Sequence, residues 1–178
     1  MLPIKDTVTL ERLPVVTLAL IAAGVAASFF LDEGGILVVA ANALALWLFG
    51  PGVEDTVGRV RFVASVLAGA LLSALAQLAL DSSGVADAAA VGVIATVAGG
   101  HLALFPRGRI LTASIVPFFF RVVEVPAVVF LALWCLLQAF AGPGLALVAG
   151  FAAGLVLARV LVDSKRDERG LEPHIPAY

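Results

Sequence analysis

Six long apolar stretches, parted by short polar or Gly/Pro-rich breaks, dominate the chain. They cover residues 14–31, 36–49, 62–80, 88–105, 125–141 and 145–162. The breaks are Asp32-Glu33-Gly34-Gly35, Gly50-Pro51-Gly52, Asp81-Ser82-Ser83-Gly84, Pro106-Arg107-Gly108-Arg109 and Gly142-Pro143-Gly144. No stretch alternates apolar and polar positions as a barrel strand would. Each is near the roughly 20 residues a helix needs to cross a hydrocarbon core, although the second is short. A further apolar run, 110–120, contains Pro117 and ends at Arg121. It is too short to cross and is expected at the interface or folded against the bundle. The pattern thus divides the chain into an N-terminal segment 1–12, a membrane domain 13–162 and a charged tail 163–178.

Composition turns these stretches into membrane spans. The chain is 62% hydrophobic and 13% charged, with mean hydropathy +1.10, whereas soluble domains carry about 25% charged residues. Such a surface needs lipid around it, so the lipid bilayer is the first partner implied. Within lipid the backbone must satisfy itself, which leaves helices once barrels are set aside. The expected fold class is an all-α membrane protein, a bundle of six transmembrane helices. The first run resembles a signal-peptide core, but its length and the runs behind it mark a retained span. The single cysteine, Cys135, lies inside an apolar run and is expected to be a packing thiol. No basic patch suggests nucleic acid, no Cys/His/carboxylate cluster suggests a metal, and no cofactor motif is present.

Loop charges orient the bundle. With the N-terminus placed in the cytoplasm, all eleven Lys and Arg residues fall on the inner side. The outer turns then carry Asp32, Glu33, Asp81 and Asp87 and no basic residue. That partition obeys the positive-inside bias, and a wrong span count would scramble it. Both termini are expected in the cytoplasm. Lys5 and Lys165 are the only lysines, and Ala, Val and Gly abound. This points to a high-GC bacterial source and hence to the plasma membrane.

Small residues suggest how the spans pack. Ala146, Gly150, Gly154 and Ala158 recur every four residues in the sixth span, and the fourth carries Gly92, Ala95, Gly99 and Gly100. Small-xxx-small faces let two backbones approach closely in lipid, so a specific helix pair is expected there. Gly50, Gly52 and Gly58 would allow a tight turn between the second and third spans. Glu54 and Asp55 would suit the N-terminus of the third span or pair with Arg59 or Arg61. Trp47 would anchor at the interface, and Asn42, deep in a span, would bond helix to helix.

One block is more specific than any of these. Asn42 to Gly50, with Leu44, Leu46, Trp47 and Phe49, followed by Val53-Glu54-Asp55, Gly58 and Arg61-Phe62, resembles the second span and following loop of rhomboid intramembrane proteases. Leu104-Phe105-Pro106-Arg107 resembles that family's exit from the fourth span. Gly150-Phe151 and Gly154, with Ala158-Arg159, resemble its ridge in the sixth, and Leu133-Trp134 through Gln138 has the look of its fifth. The resemblance covers about residues 14–162 and implies a six-span rhomboid-like fold.

It also implies where chemistry would sit. Rhomboids hydrolyse peptide bonds with a serine in a G-x-S-G motif of the fourth span and a histidine base in the sixth. A hydroxyl needs such a base within hydrogen-bond reach. Second-span His and Asn residues, in an H-x-x-x-N arrangement, help hold the oxyanion. Ungapped alignment places Val91 at the nucleophile position, ahead of Gly92, and Leu147 at the base position. Val38 stands where the second-span His belongs, and only Asn42 remains of that pair. The family's long first outer loop is reduced to a few residues. No catalytic residue is therefore expected.

Substitutes are few. The two histidines are His101, near the inner end of the fourth span, and His174 in the tail, both on the wrong side for an outer site. His101 is expected to be a neutral interfacial residue. Ser65, Ser73 and Ser114 are expected to bond to helix carbonyls, which leaves Ser82 or Ser83 as the alternative nucleophile of an unorthodox active protease. A transporter would want paired charges or broken helices at mid-depth, and the spans show none. The expected function is therefore a rhomboid-like protein without the dyad that binds transmembrane segments of client proteins.

Overall fold

In the computed structural model, residues 2–6, 13–31, 35–81, 83–116, 119–141 and 144–168 are described. The turns at 32–34 and 142–143, Ser82, Pro117 and the tail from Arg169, with His174, lie outside them. Six helices run in alternating directions: α1 (Val15–Leu31), α2 (Ile36–Val57), α3 (Arg59–Leu80), α4 (Val85–Leu104), α5 (Ala127–Ala141) and α6 (Gly144–Glu168). Four of them, α2, α3, α4 and α6, are long and apolar enough to cross a membrane. The shorter α1 and α5 are apolar too. At 15 residues, α5 is only about 22 Å long, because Val125 and Pro126, expected in its first turn, belong to a strand instead.

Strands β1 (Leu2–Asp6), β2 (Arg109–Val116) and β3 (Phe119–Pro126) form an antiparallel sheet in the order β1-β2-β3. The run expected to lie at the interface is thus a β-hairpin, with Leu111 opposite Glu124 and Ser114 opposite Arg121. The N-terminal strand completes it, Leu2 opposite Ala113. The all-α expectation holds for the bundle and is corrected here. Too short to cross as a helix, this segment satisfies its backbone by pairing across strands. Chain direction places this sheet at one end of the bundle (the sheet end), with the α1–α2, α3–α4 and α5–α6 turns at the other (the turn end).

The second break is also corrected. Gly50-Pro51-Gly52 does not end α2, which continues through Pro51 to Val57. A residue before proline is normally pushed out of the helical region by its own Cβ; Gly50 has none. Gly50 is needed for a close approach instead, since a Cβ there would stand 2.5 Å from Thr17 Cγ2 on α1. The turn falls at Gly58 alone, whose φ of 90° suits glycine. At the other terminus α6 runs past Val162 to Glu168, so its helix includes the start of the expected tail.

The core follows α4. Phe49, Val53, Phe62, Val66, Ala95, Val97 and Ala98 are buried around it. The opposite face of α3 leaves Leu67, Leu71, Leu75 and Leu78 exposed. A soluble protein would cover that leucine stripe; in a bundle whose solvent is lipid it is the outer surface.

Candidate functional site

The tightest junction in the bundle joins α4 to α6. A Cβ on Gly150 would stand 2.9 Å from Gly92 Cα, one on Gly154 2.8 Å from Thr96 C, and one on Gly99 3.0 Å from Phe151 C. Backbone therefore lies on backbone, and Ala146 and Ala158 at the ends of the same α6 ridge are buried with it. The expected helix pair is present.

Two hydroxyls lock this junction. Ser73 of α3, fully buried, donates to Ala146 O at 2.8 Å. Thr96 of α4 donates to Gly92 O at 2.7 Å and to Gly150 O at 3.1 Å. Ser65 bonds back to Phe62 O at 2.8 Å within its own helix, as expected. Ser73 does not: it bridges to another helix, because Gly92 and Gly150 leave room for its side chain at the crossing. Ser114 lies on β2 and not on a helix. Both locking hydroxyls are committed as donors to carbonyls, the opposite of what a nucleophile needs.

Val91 and Leu147 flank this junction. Val91, half-buried, precedes Gly92, and Leu147, 7% exposed, lies one turn before Gly150. Leu147 also lines an apolar groove of about 370 Å³ between α5 and α6, with Cys135, Phe151 and Leu155. Its walls offer no proton acceptor of histidine type. His101 sits in the sheet-end half of α4, fully buried, its ring 5.0 Å from that of Phe49 and 5.2 Å from that of Phe105. It is buried inside the bundle. Ser83, beside the α3–α4 turn, donates through its hydroxyl to the Asp81 carboxylate. Among the described residues no group of His, Cys, Asp and Glu could hold a metal.

The second polar centre is Glu54. It is 3% exposed and faces α1, not α3. Its Oε2 accepts from Thr17 N and Thr17 Oγ1, both at 2.8 Å, and Oε1 from Val16 N at 3.1 Å. The carboxylate thus caps the N-terminus of α1, where orphan N–H groups and the helix dipole favour negative charge. The expected role at the start of α3 is corrected, since the continuous α2 turns this side chain the other way. Arg59 supplies the pairing left open, with Nε 3.8 Å from Oε1, and donates to Leu13 O at 3.1 Å. Gly50, Glu54 and Gly58, four residues apart, therefore form one packing device at the sheet end of α2. Asp55 and Arg61 occupy the same junction, and each has an interaction of its own.

Toward the turn end, α2 and α5 share one side-chain hydrogen bond among the described residues. Trp134 Nε1 donates to Asn42 Oδ1 at 3.3 Å, the helix-to-helix link expected of Asn42. Trp47 is half-exposed, as an anchor would be. Gln138, given no role from the sequence, is 4% exposed one turn beyond Trp134 on α5. Its signal was the spacing Trp134-x-x-x-Gln138, which puts both polar side chains on one helical face.

A family model described as Rhomboid domain matches residues 26–164. The chain belongs to the rhomboid family. No curated protein and no solved structure gave a significant match. The match takes in the last third of α1 and all of α2 to α5, and in α6 it reaches Ser164. It covers the glycine junction, Glu54 and the Asn42–Trp134 link. This rhomboid chain is therefore a multi-pass membrane protein with a helical bundle and a small sheet added at one end.

Proposed function

We propose that this rhomboid protein has no Ser/His catalytic dyad and binds transmembrane segments of client proteins instead of cutting them. One observation carries the reading. The side chains flanking the Gly92–Gly150 contact, where the family resemblance puts nucleophile and base, are Val91 and Leu147. Neither can form the covalent intermediate or move the proton that serine hydrolysis requires. The nearby hydroxyls of Ser73 and Thr96 donate to backbone carbonyls, and His101 lies toward the opposite end of α4. Meanwhile the scaffold that would present a substrate helix is intact.

The protein sits in the bacterial plasma membrane with both termini in the cytoplasm, supported by the eleven basic residues that share one side. On this orientation the sheet faces the cytoplasm and Asn42 the outer half of the bilayer. Purified protein in liposomes is expected to leave rhomboid model substrates intact and to take up no serine-directed fluorophosphonate. Cleavage or stoichiometric labelling would instead establish an unorthodox nucleophile, and Ser83→Ala and Ser82→Ala would then locate it.

A further inference from the structure

The groove between α5 and α6 continues into a charge. Val148, Ala152 and Leu155, with Leu147 and Phe151 beside them, form its α6 side, and Cys135 of α5 borders it. Residues 148, 152 and 155 recur at helical spacing and so share one face of α6. The next position on that face is Arg159, one turn nearer the sheet end. Val148, Ala152 and Arg159 are all exposed, so groove and arginine form one strip open to the surroundings. Among the described residues no ion pair joins Arg159 to Asp163, the next charge along α6.

Size and length select what can lie there. About 370 Å³, spread over the ~12 Å of helix from Leu147 to Leu155, gives a cross-section of about 30 Å². That admits one extended hydrocarbon chain, whereas a helix with its side chains is ~10 Å across. From Val148 to Arg159 the strip rises ~16 Å, close to the ~15 Å depth of one leaflet's hydrocarbon. A lipid chain lying along the groove therefore brings its phosphate to the arginine. Arg159 stands five residues before Ser164, where the apolar span of α6 ends. From there a guanidinium reaches the headgroup level, and it can hold a phosphate through two parallel hydrogen bonds. We propose that this strip is a binding site for one anionic phospholipid of the leaflet at the sheet end, its acyl chain along Val148, Ala152 and Leu155 and its phosphate on Arg159. The site does not depend on the client-binding reading.

The test uses the full chain in nanodiscs of equal parts phosphatidylglycerol and phosphatidylcholine with matched chains. Native mass spectrometry counts the lipids that stay on the released protein. One lipid is expected, phosphatidylglycerol about five-fold more often than phosphatidylcholine, the preference one arginine near the membrane surface supplies. Arg159→Gln should bring the two headgroups to near parity with a lipid still held. Ala152→Phe, which fills the groove, should release the lipid whatever its headgroup, and Ala152→Leu takes its place if that variant does not fold. Val160→Phe, at an exposed position on another face of α6, should keep both the lipid and the preference. No retained lipid in the wild type, a preference that survives Arg159→Gln, or a lipid that stays in the filled groove overturns the site. Loss of the lipid in Val160→Phe overturns it as well, since bulk anywhere on α6 would then have the same effect.

Discussion

The α4–α6 junction and the α2–α5 seam are both contacts between apolar helices, yet they are built in opposite ways. In the first, Gly92, Gly99, Gly150 and Gly154 bring backbone onto backbone, and the hydroxyls of Ser73 and Thr96 are fully engaged with carbonyls. In the second, the described residues show a single 3.3 Å side-chain bond, from Trp134 to Asn42. Lipid supplies no hydrophobic drive for helices to associate, so packing and hydrogen bonds decide which contacts persist. The first contact is made to stay closed and the second can part at small cost. α2 itself shows the same contrast along its length: Glu54 fastens its sheet end to α1, and the Asn42 bond ties its other half to α5.

The largest effect should come from filling the closed junction. Gly154→Leu drives a side chain into the α4 backbone, with Thr96 C and Gly100 N within 3 Å of its first carbon. A loss of more than about 4 kcal/mol is expected, read as failure to recover a monodisperse, heat-cooperative protein. A tolerated leucine would show that this contact is not what holds the bundle.

Next in size is Glu54→Ala, which strips three hydrogen bonds from the first turn of α1. Its cost should be about 3 kcal/mol, since buried donors lose a charged acceptor. Glu54→Gln should recover little, because its amide nitrogen would face N–H donors. Denaturation in mild detergent checks both, and hydrogen exchange should place the loss at Val16 and Thr17 ahead of α4. Exchange rising first in α4 would break the division between the two regions.

The smallest change is Trp134→Phe, which removes the hydrogen bond to Asn42. About 0.6 kcal/mol is expected, and no more than about 1.7, with exchange or solvent labelling rising in α5 alone. A larger, global loss would mean that the seam is as structural as the junction.

Much of this was legible in the sequence. The apolar runs located six helices, and the four-residue ridge of Ala146, Gly150, Gly154 and Ala158 marked the α6 face that packs. Asn42 as an interhelical link followed from its depth. Other features were hidden for physical reasons. A glycine that permits a turn and one that permits close approach look the same in one dimension, so Gly50-Pro51-Gly52 read as a break. Thr17, the partner that decides the matter, lies far off in sequence. Glu54 was misassigned for the same reason, since only a continuous α2 aims it at α1. The hairpin at 109–126 was hidden because its strands lack alternation and because the partner of β2, the N-terminal β1, comes from the other end of the chain. Gln138 entered only as part of the resemblance in the fifth span, and its burial appears only in the folded bundle.

Client binding without cleavage is tested most directly by photocrosslinking in liposomes. Photoreactive residues would be placed at Leu44 on α2, Leu133 on α5 and Leu71 on the lipid-facing stripe of α3, and the protein mixed with a labelled model transmembrane helix. The account predicts that the helix is recovered intact and attached at Leu44 and Leu133, with little attachment at Leu71. Cleaved fragments of the helix, or equal attachment at all three positions, would contradict it.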